Sequence, residues 1–294
     1  MPILAGVLAL ATLPAVAAEP MRYIYHPPES QSDVRYLYQW KILKAALDRT
    51  EDHYGPYLME PSLTMTEQRQ RYELRNATGK LTVMYLDTSP ETERELWPTR
   101  IPVDKGLVGY RIFLIRKEDQ PAFARIDSLD GLRTCKFGLG VDWIDVRILK
   151  ADRFPVVTGS SYEGLFAMLV NKRFDVLSRG ANEVGDEYDQ RKDALPGLWI
   201  EQTLCLHYPL PMYFWFSRTP EGRHLAARAE EGMRLMIADG TYDRIFDDYF
   251  RDRIARLRLK SRRILTIDNP FLGPETPFQD KRLWFDPRTY RPTP

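Results

Sequence analysis

Short apolar runs alternate along this chain with stretches whose apolar positions recur every three or four residues. Residues 21–25 and 81–86 are runs of the first kind and predict strands. Residues 36–47 place Leu37, Trp40, Leu43 and Leu47 on one side and predict a helix. Residues 57–65 read as a strand interrupted by Pro61, 66–76 as a polar helix, and 89–95 as a turn and helix start. Strand, helix, strand, helix, strand is the order of a doubly wound α/β unit.

A second unit of the same kind follows. After a short helix opening at Ser128, the pattern gives strands at 135–139, 154–158, 174–177 and 198–206. Helices are expected between them at 143–151 and 162–171, with a polar one at 183–192. Two apolar extended segments, 108–115 and 210–217, bracket this unit. Beyond it, helix 222–238 carries Leu225, Ala229, Met233 and Met236 on one face, and a last helix covers 242–259. The two bracketing segments therefore read as crossovers joining a lobe built from both chain ends to an inserted lobe. The expected division is 19–109 with 211–262 for the first lobe, 110–210 for the second, and 263–294 as an extended C-terminal tail. The two units share a pattern without sharing sequence.

Composition narrows the function classes. The chain has 294 residues, 44% of them hydrophobic, enough for two lobes. Its 42 basic against 41 acidic residues leave a net charge of +1, so no basic excess marks a nucleic-acid binder. Residues 1–18 form an uncharged apolar run ending in Ala15-Val16-Ala17-Ala18, too short to span a bilayer. With the polar drop at Glu19, that reads as a secretory signal, although no basic residue precedes the run. Cys135 and Cys205 are the only cysteines; they either pair in an oxidising compartment or serve as small buried hydrophobes. The four histidines lack metal-ligand spacing, and no nucleophile elbow or phosphate loop is present. No cofactor or metal is expected.

Several motifs in order resemble the type 2 periplasmic solute-binding proteins that serve amino-acid transporters. Ser128-Leu-Asp-Gly-Leu followed by Phe137-Gly-Leu-Gly is similar to that family's opening of the second lobe. The helix from Tyr162 followed by Lys172-Arg-Phe-Asp175-Val, and the final helix pair turning at Asp239-Gly-Thr-Tyr, also match. The likeness covers roughly residues 20–250. Within the family, one branch is closer: it carries the segment from Arg100 to Arg111, the turn from Gly138 to Trp143, Arg179-Gly-x-x-Glu183 and a Trp284-Phe-Asp-Pro tail. The resemblance implies a two-lobed α/β fold, two doubly wound lobes joined by two crossover strands. It also implies a secreted, periplasmic monomer that closes over a small-molecule solute and works with a membrane permease or receptor.

An amino-acid-like solute needs a cation for its carboxylate, an acid for its ammonium and an apolar wall. The resemblance places a carboxylate-clamping arginine shortly after the 81–86 strand, where Arg94 stands; Arg100 is the other candidate, framed by Pro98 and Pro102. Asp142 and Trp143 follow a glycine turn at the mouth of a helix, where Asp142 either meets the ligand or caps the helix. Ser161 and Tyr162 follow a polar loop, with capping as the plainer role for the serine. Past the 174–177 strand the family usually has an acid; here Arg179 takes that place and Glu183 follows one turn on. They act on the ligand or pair with each other. A second arginine in the cleft favours a di-anionic or carboxylate-rich solute. The basic segment 251–263 reads as a solvated helix face, or as a surface for an anionic membrane or partner. Transport of a captured solute, periplasmic sensing, and a hydrolase or dehydratase with Glu183 or Asp142 as its acid are the competing functions.

Overall fold

The computed structural model describes residues 19–28 and 37–293. The expected signal at residues 1–18 lies outside them. Two lobes are built on one strand plan. In the first, Met21–Tyr25 pairs in parallel with Tyr57–Pro61. Thr82 and Val83 bond to the Ile24 carbonyl and bring Met84–Asp87 alongside. The strand Met212–Ser217 then lies antiparallel between Met84–Asp87 and Leu96–Pro98. The second lobe repeats the plan in one larger sheet: Val156–Gly159, Phe137–Gly140, Val176–Gly180, Tyr110–Arg116 and Leu204–His207 in spatial order. In each lobe the antiparallel strand is the one that arrives from the other half of the chain. That is the geometry of two crossovers.

The predicted strand at 198–206 is two strands. Leu198–Ile200 pairs with the end of Tyr110–Arg116, and Leu204–His207 pairs with its beginning. The break is held by the buried Glu201 carboxylate, which accepts from the Thr203 and Leu204 amides. Arg262 donates to the Glu201 and Leu204 carbonyls at 2.6 and 2.9 Å and pairs with the same carboxylate at 3.4 Å. Arg262 is buried, so this end of the basic segment is not a solvated face. The helix Thr241–Leu257 stops before it.

The C-terminal segment is more structured than an extended tail. Arg263–Thr266 adds a parallel strand to the edge of Leu204–His207. The chain then packs against the crossover: the Phe285 amide donates to the Lys105 carbonyl at 2.8 Å, and Tyr110 Oη donates to the Phe285 carbonyl at 3.1 Å. Both cysteines are free. Among the described residues no helix is long and apolar enough to cross a membrane.

The long helix Pro220–Ala238 packs on Leu37–Asp48 by backbone approach. A Cβ at Gly232 would sit 2.0 Å from the Ala46 carbonyl oxygen, an overlap that only movement of one helix relieves. Gly232→Ala is expected to destabilise the protein by about 2–3 kcal/mol despite the higher helix propensity of alanine. Urea unfolding checks this; equal or greater stability would contradict the close packing.

Candidate functional site

Parallel α/β sheets present ligands at the carboxyl ends of their strands, and in this protein those ends face one another across a cleft. Asp87 ends Met84–Asp87 of the first lobe. The turn after Phe137–Gly140 carries Asp142 and Trp143, and Val176–Gly180 carries Arg179 one residue before its end. A cavity of about 150 Å³ lies between them, walled by Gln39, Glu67, Tyr85 and Asp87 on one side. Arg111, Asp142, Trp143, Asp145, Arg179, Asn182 and Glu183 wall the other. Val108, Leu210 and Met212 close it at the crossovers. A hollow of about 290 Å³ at the mouth shares Glu67, Asp87, Asp142 and Trp143.

Local chemistry fixes the second-lobe wall. Gly140 leaves room for the Trp143 ring, which a Cβ there would meet at 2.6 Å. The Trp143 amide donates to the Gly140 carbonyl, closing the turn into the helix Ile144–Ala151. Trp143 is the helix N-cap and makes no side-chain cap bond, so Asp142 does not cap this helix. The Arg179 guanidinium lies 4.4 Å from the Trp143 ring centroid, a cation–π contact.

Arg179 is held by two carboxylates through Nε and Nη2. Its Nε and Nη2 donate to the two Glu187 oxygens at 2.7 and 2.6 Å, and Nη2 meets Glu183 at 3.0 Å. Tyr162 donates its hydroxyl to Glu187 at 2.6 Å, and Glu183 also accepts the Gly180 amide at 2.9 Å. Burial pushes the Glu183 carboxyl up, against the pull of Arg179. Burial acts on Glu187 too, but the paired Arg179 outweighs it and holds that carboxyl below its ordinary range. The pair between Arg179 and Glu183 is thus part of a buried cluster and not an exposed helical pair.

Arg111 forms a parallel cluster. It is 2% exposed, donates to the Val108 and Ser178 carbonyls at 3.0 and 3.2 Å, and pairs with Asp145 at 3.1 Å. Tyr208 donates its hydroxyl to the same Asp145.

Four of the residues singled out from sequence line the cavity: Asp142, Trp143, Arg179 and Glu183. The others lie elsewhere. Arg100 makes a two-point pair with Glu93 at 2.7 Å and meets Glu275 of the tail at 2.5 Å. Arg94 is exposed, with Glu91 at 3.9 Å. Ser161 caps the helix Tyr162–Val170 by accepting the Gly164 amide. Tyr162 stands behind Arg179 as a support. The lining residues Arg111, Asp145, Asp87, Tyr85 and Asn182 were not singled out.

Asp87 keeps part of its surface open to the cleft, yet burial pushes its carboxyl up to about 7. Arg71 and Arg147 pull it down, while Glu67 and Asp145 push it up. A carboxyl raised above its ordinary value of 3.8 supports the fold while protonated, and that contribution fades as pH climbs from 3.8 to about 7. Carbon-detected NMR of the Asp87 carboxyl is expected to give a midpoint near neutrality. A midpoint near 3.8 would contradict the burial.

No family model and no curated protein matches the sequence. Solved structures do match. One is an amino-acid ABC transporter substrate-binding protein from Streptococcus pneumoniae bound to L-arginine: 14% identity, TM-score 0.56, covering 79% of this chain and 93% of that one. A histidine kinase sensor domain with similarity to periplasmic binding proteins aligns at 16% identity and TM-score 0.55, over 79% and 96%. An ancestral amino-acid-binding protein described as a precursor of cyclohexadienyl dehydratase aligns at 15% and 0.54, over 79% and 95%. The chain has the two-lobed fold of these periplasmic binding proteins.

Proposed function

We propose that this chain is a periplasmic solute-binding protein that closes its two lobes over a small polar solute and delivers it to an ABC-type membrane permease. The carrying observation is the cavity between the lobes, walled by chemistry from both. Capture between lobes buries most of a small ligand's surface and couples occupancy to closure. The fold neighbours include proteins that bind amino acids and an ABC transporter substrate-binding protein, which supports an amino-acid-like or carboxylate-bearing solute. The reading takes residues 1–18 as a secretory signal, 19–109 with 211–262 as one lobe, 110–210 as the other, and the mature protein as a monomer without enzymatic activity. Arg179, Glu183 and Trp143 form the rigid second-lobe wall in this reading, and Asp142 the group that meets the solute.

Sensing is the second reading, favoured by the kinase sensor domain among the neighbours. Both readings need a solute. A thermal-shift screen of the purified protein against amino acids, amines, dicarboxylates and sugars is expected to raise the melting midpoint with one class. A ligand at a hundredfold excess over Kd adds about 2.7 kcal/mol. No shift with any class would contradict both.

A further inference from the structure

Each arginine at the cleft has a carboxylate partner. Arg111 pairs with Asp145 at 3.1 Å, and Arg179 with Glu187 at 2.6 Å and Glu183 at 3.0 Å. At the mouth, Arg71 pairs with Glu67 at 3.0 Å and Arg147 with Glu91 at 2.9 Å. Each of the four thus carries a carboxylate of its own. Two carboxylates are left over. Asp87 and Asp142 line both the inner cavity and its mouth from opposite lobes, and among the described residues neither has a hydrogen-bond or ion-pair partner. Asp87 is half-buried and Asp142 exposed. Beside them, Asn182 lines the same cavity, and its Oδ1, buried against Gly180, has no hydrogen-bond partner.

We infer that the solute is an organic cation without a carboxylate, an alkyl amine or guanidine held between Asp87 and Asp142; this rests on the solute-binding reading above. The unpartnered carboxylates offer acceptor capacity, which N–H donors on a positive charge satisfy. An anionic solute would find each cleft arginine already paired with a carboxylate and would lie against Asp87 and Asp142. A cationic solute departs from the carboxylate-rich one that a second cleft arginine favours. Among the described residues no group of three or more His, Cys, Asp and Glu side chains is placed to hold a metal ion, which leaves a cation bearing its own donors. Tyr85 and Trp143 supply aromatic surface for an alkyl chain or a positive head group. Closure then has a physical cause. A cation that meets Asp87 on one lobe and Asp142 on the other bridges the two walls.

The test is calorimetric titration of the full chain with agmatine, putrescine, L-arginine and succinate. Agmatine is L-arginine without the carboxyl group, so that pair isolates the carboxylate. Agmatine or putrescine is expected to bind, and agmatine at least tenfold tighter than L-arginine. Asp87→Asn and Asp142→Asn are each expected to weaken amine binding at least tenfold while keeping a cooperative melting transition. Neither carboxylate holds another part of the fold, so loss of folding is not the expected cause. L-arginine tighter than agmatine, succinate binding where the amines fail, or amine binding unchanged in both variants would overturn the inference and leave the solute-binding reading standing. No binding of these four, with a flat thermal screen, would overturn both.

Discussion

Arg228→Ala is expected to lower the free energy of unfolding by about 3–4 kcal/mol. Arg228 sits within the helix Pro220–Ala238 and is wholly buried. Its guanidinium donates to the Gly55 carbonyl at 2.8 Å, Thr50 Oγ1 at 3.2 Å, the Leu47 carbonyl at 3.4 Å and the Pro56 carbonyl at 3.5 Å. It therefore satisfies the last turn of Leu37–Asp48 and the loop leading into Tyr57–Pro61 at once. Truncation leaves the Gly55 carbonyl without its donor, strips a donor from Thr50 Oγ1 and from the Leu47 and Pro56 carbonyls, which keep other partners, and opens a void beside the Tyr57 ring, 5.1 Å from the guanidinium. Lysine at this position is expected to recover less than half of the loss, because an ammonium has three donors and no planar fork. Urea unfolding followed by circular dichroism measures both variants. A loss under 1 kcal/mol for alanine would mean that water replaces the guanidinium there.

The second large effect lies behind the ligand cavity. Glu187→Ala is expected to cost about 3–5 kcal/mol, as for one partner removed from a buried pair. Arg179 and Glu187 are 4% and 3% exposed, so the orphaned guanidinium cannot turn to water. It would draw more strongly on Glu183, which now fixes the Gly180 amide, and the second-lobe wall would shift. Glu187→Gln retains an acceptor for Tyr162 and is expected to lose less. The pair also sets an acid dependence. Because the Glu187 carboxyl is held below its ordinary range, its contribution is present at neutral pH and lost as pH falls through that lowered value. A double-mutant cycle with Arg179→Met isolates the coupling. Coupling near zero would contradict the cluster.

Much of the fold was legible because hydrophobic spacing and caps agreed. Ser161 and Ser128 stand where the helices Tyr162–Val170 and Leu129–Leu132 begin, and both accept an amide there. The break at Glu201 was hidden, since an acid between two apolar runs looks like one outward-facing strand residue. The distant Arg262 and Gln120, with the Thr203 and Leu204 amides, make its burial tolerable. The site was legible in part for a similar reason. Asp142, Trp143, Arg179 and Glu183 lie just past strand ends, where α/β sheets place ligands. Asp87 satisfies the same criterion and was the signal available for it. Arg111 offered another, a charged residue inside an apolar run whose strand is buried on both faces. Arg94 rests on its spacing after the 81–86 strand and Arg100 on the prolines that frame it, and neither lines the cavity. Their neighbours Glu91, Glu93 and Glu275 settle where those charges go, and Glu275 is far away in sequence.

Closure over a cation between the lobes is tested most directly by hydrogen exchange on the protein with and without saturating agmatine. Slowed exchange is expected on both walls together, at the amides around Asp87 and at those of residues 140–145 and 179–184. Protection confined to one lobe, or an unchanged exchange pattern, would contradict capture between them.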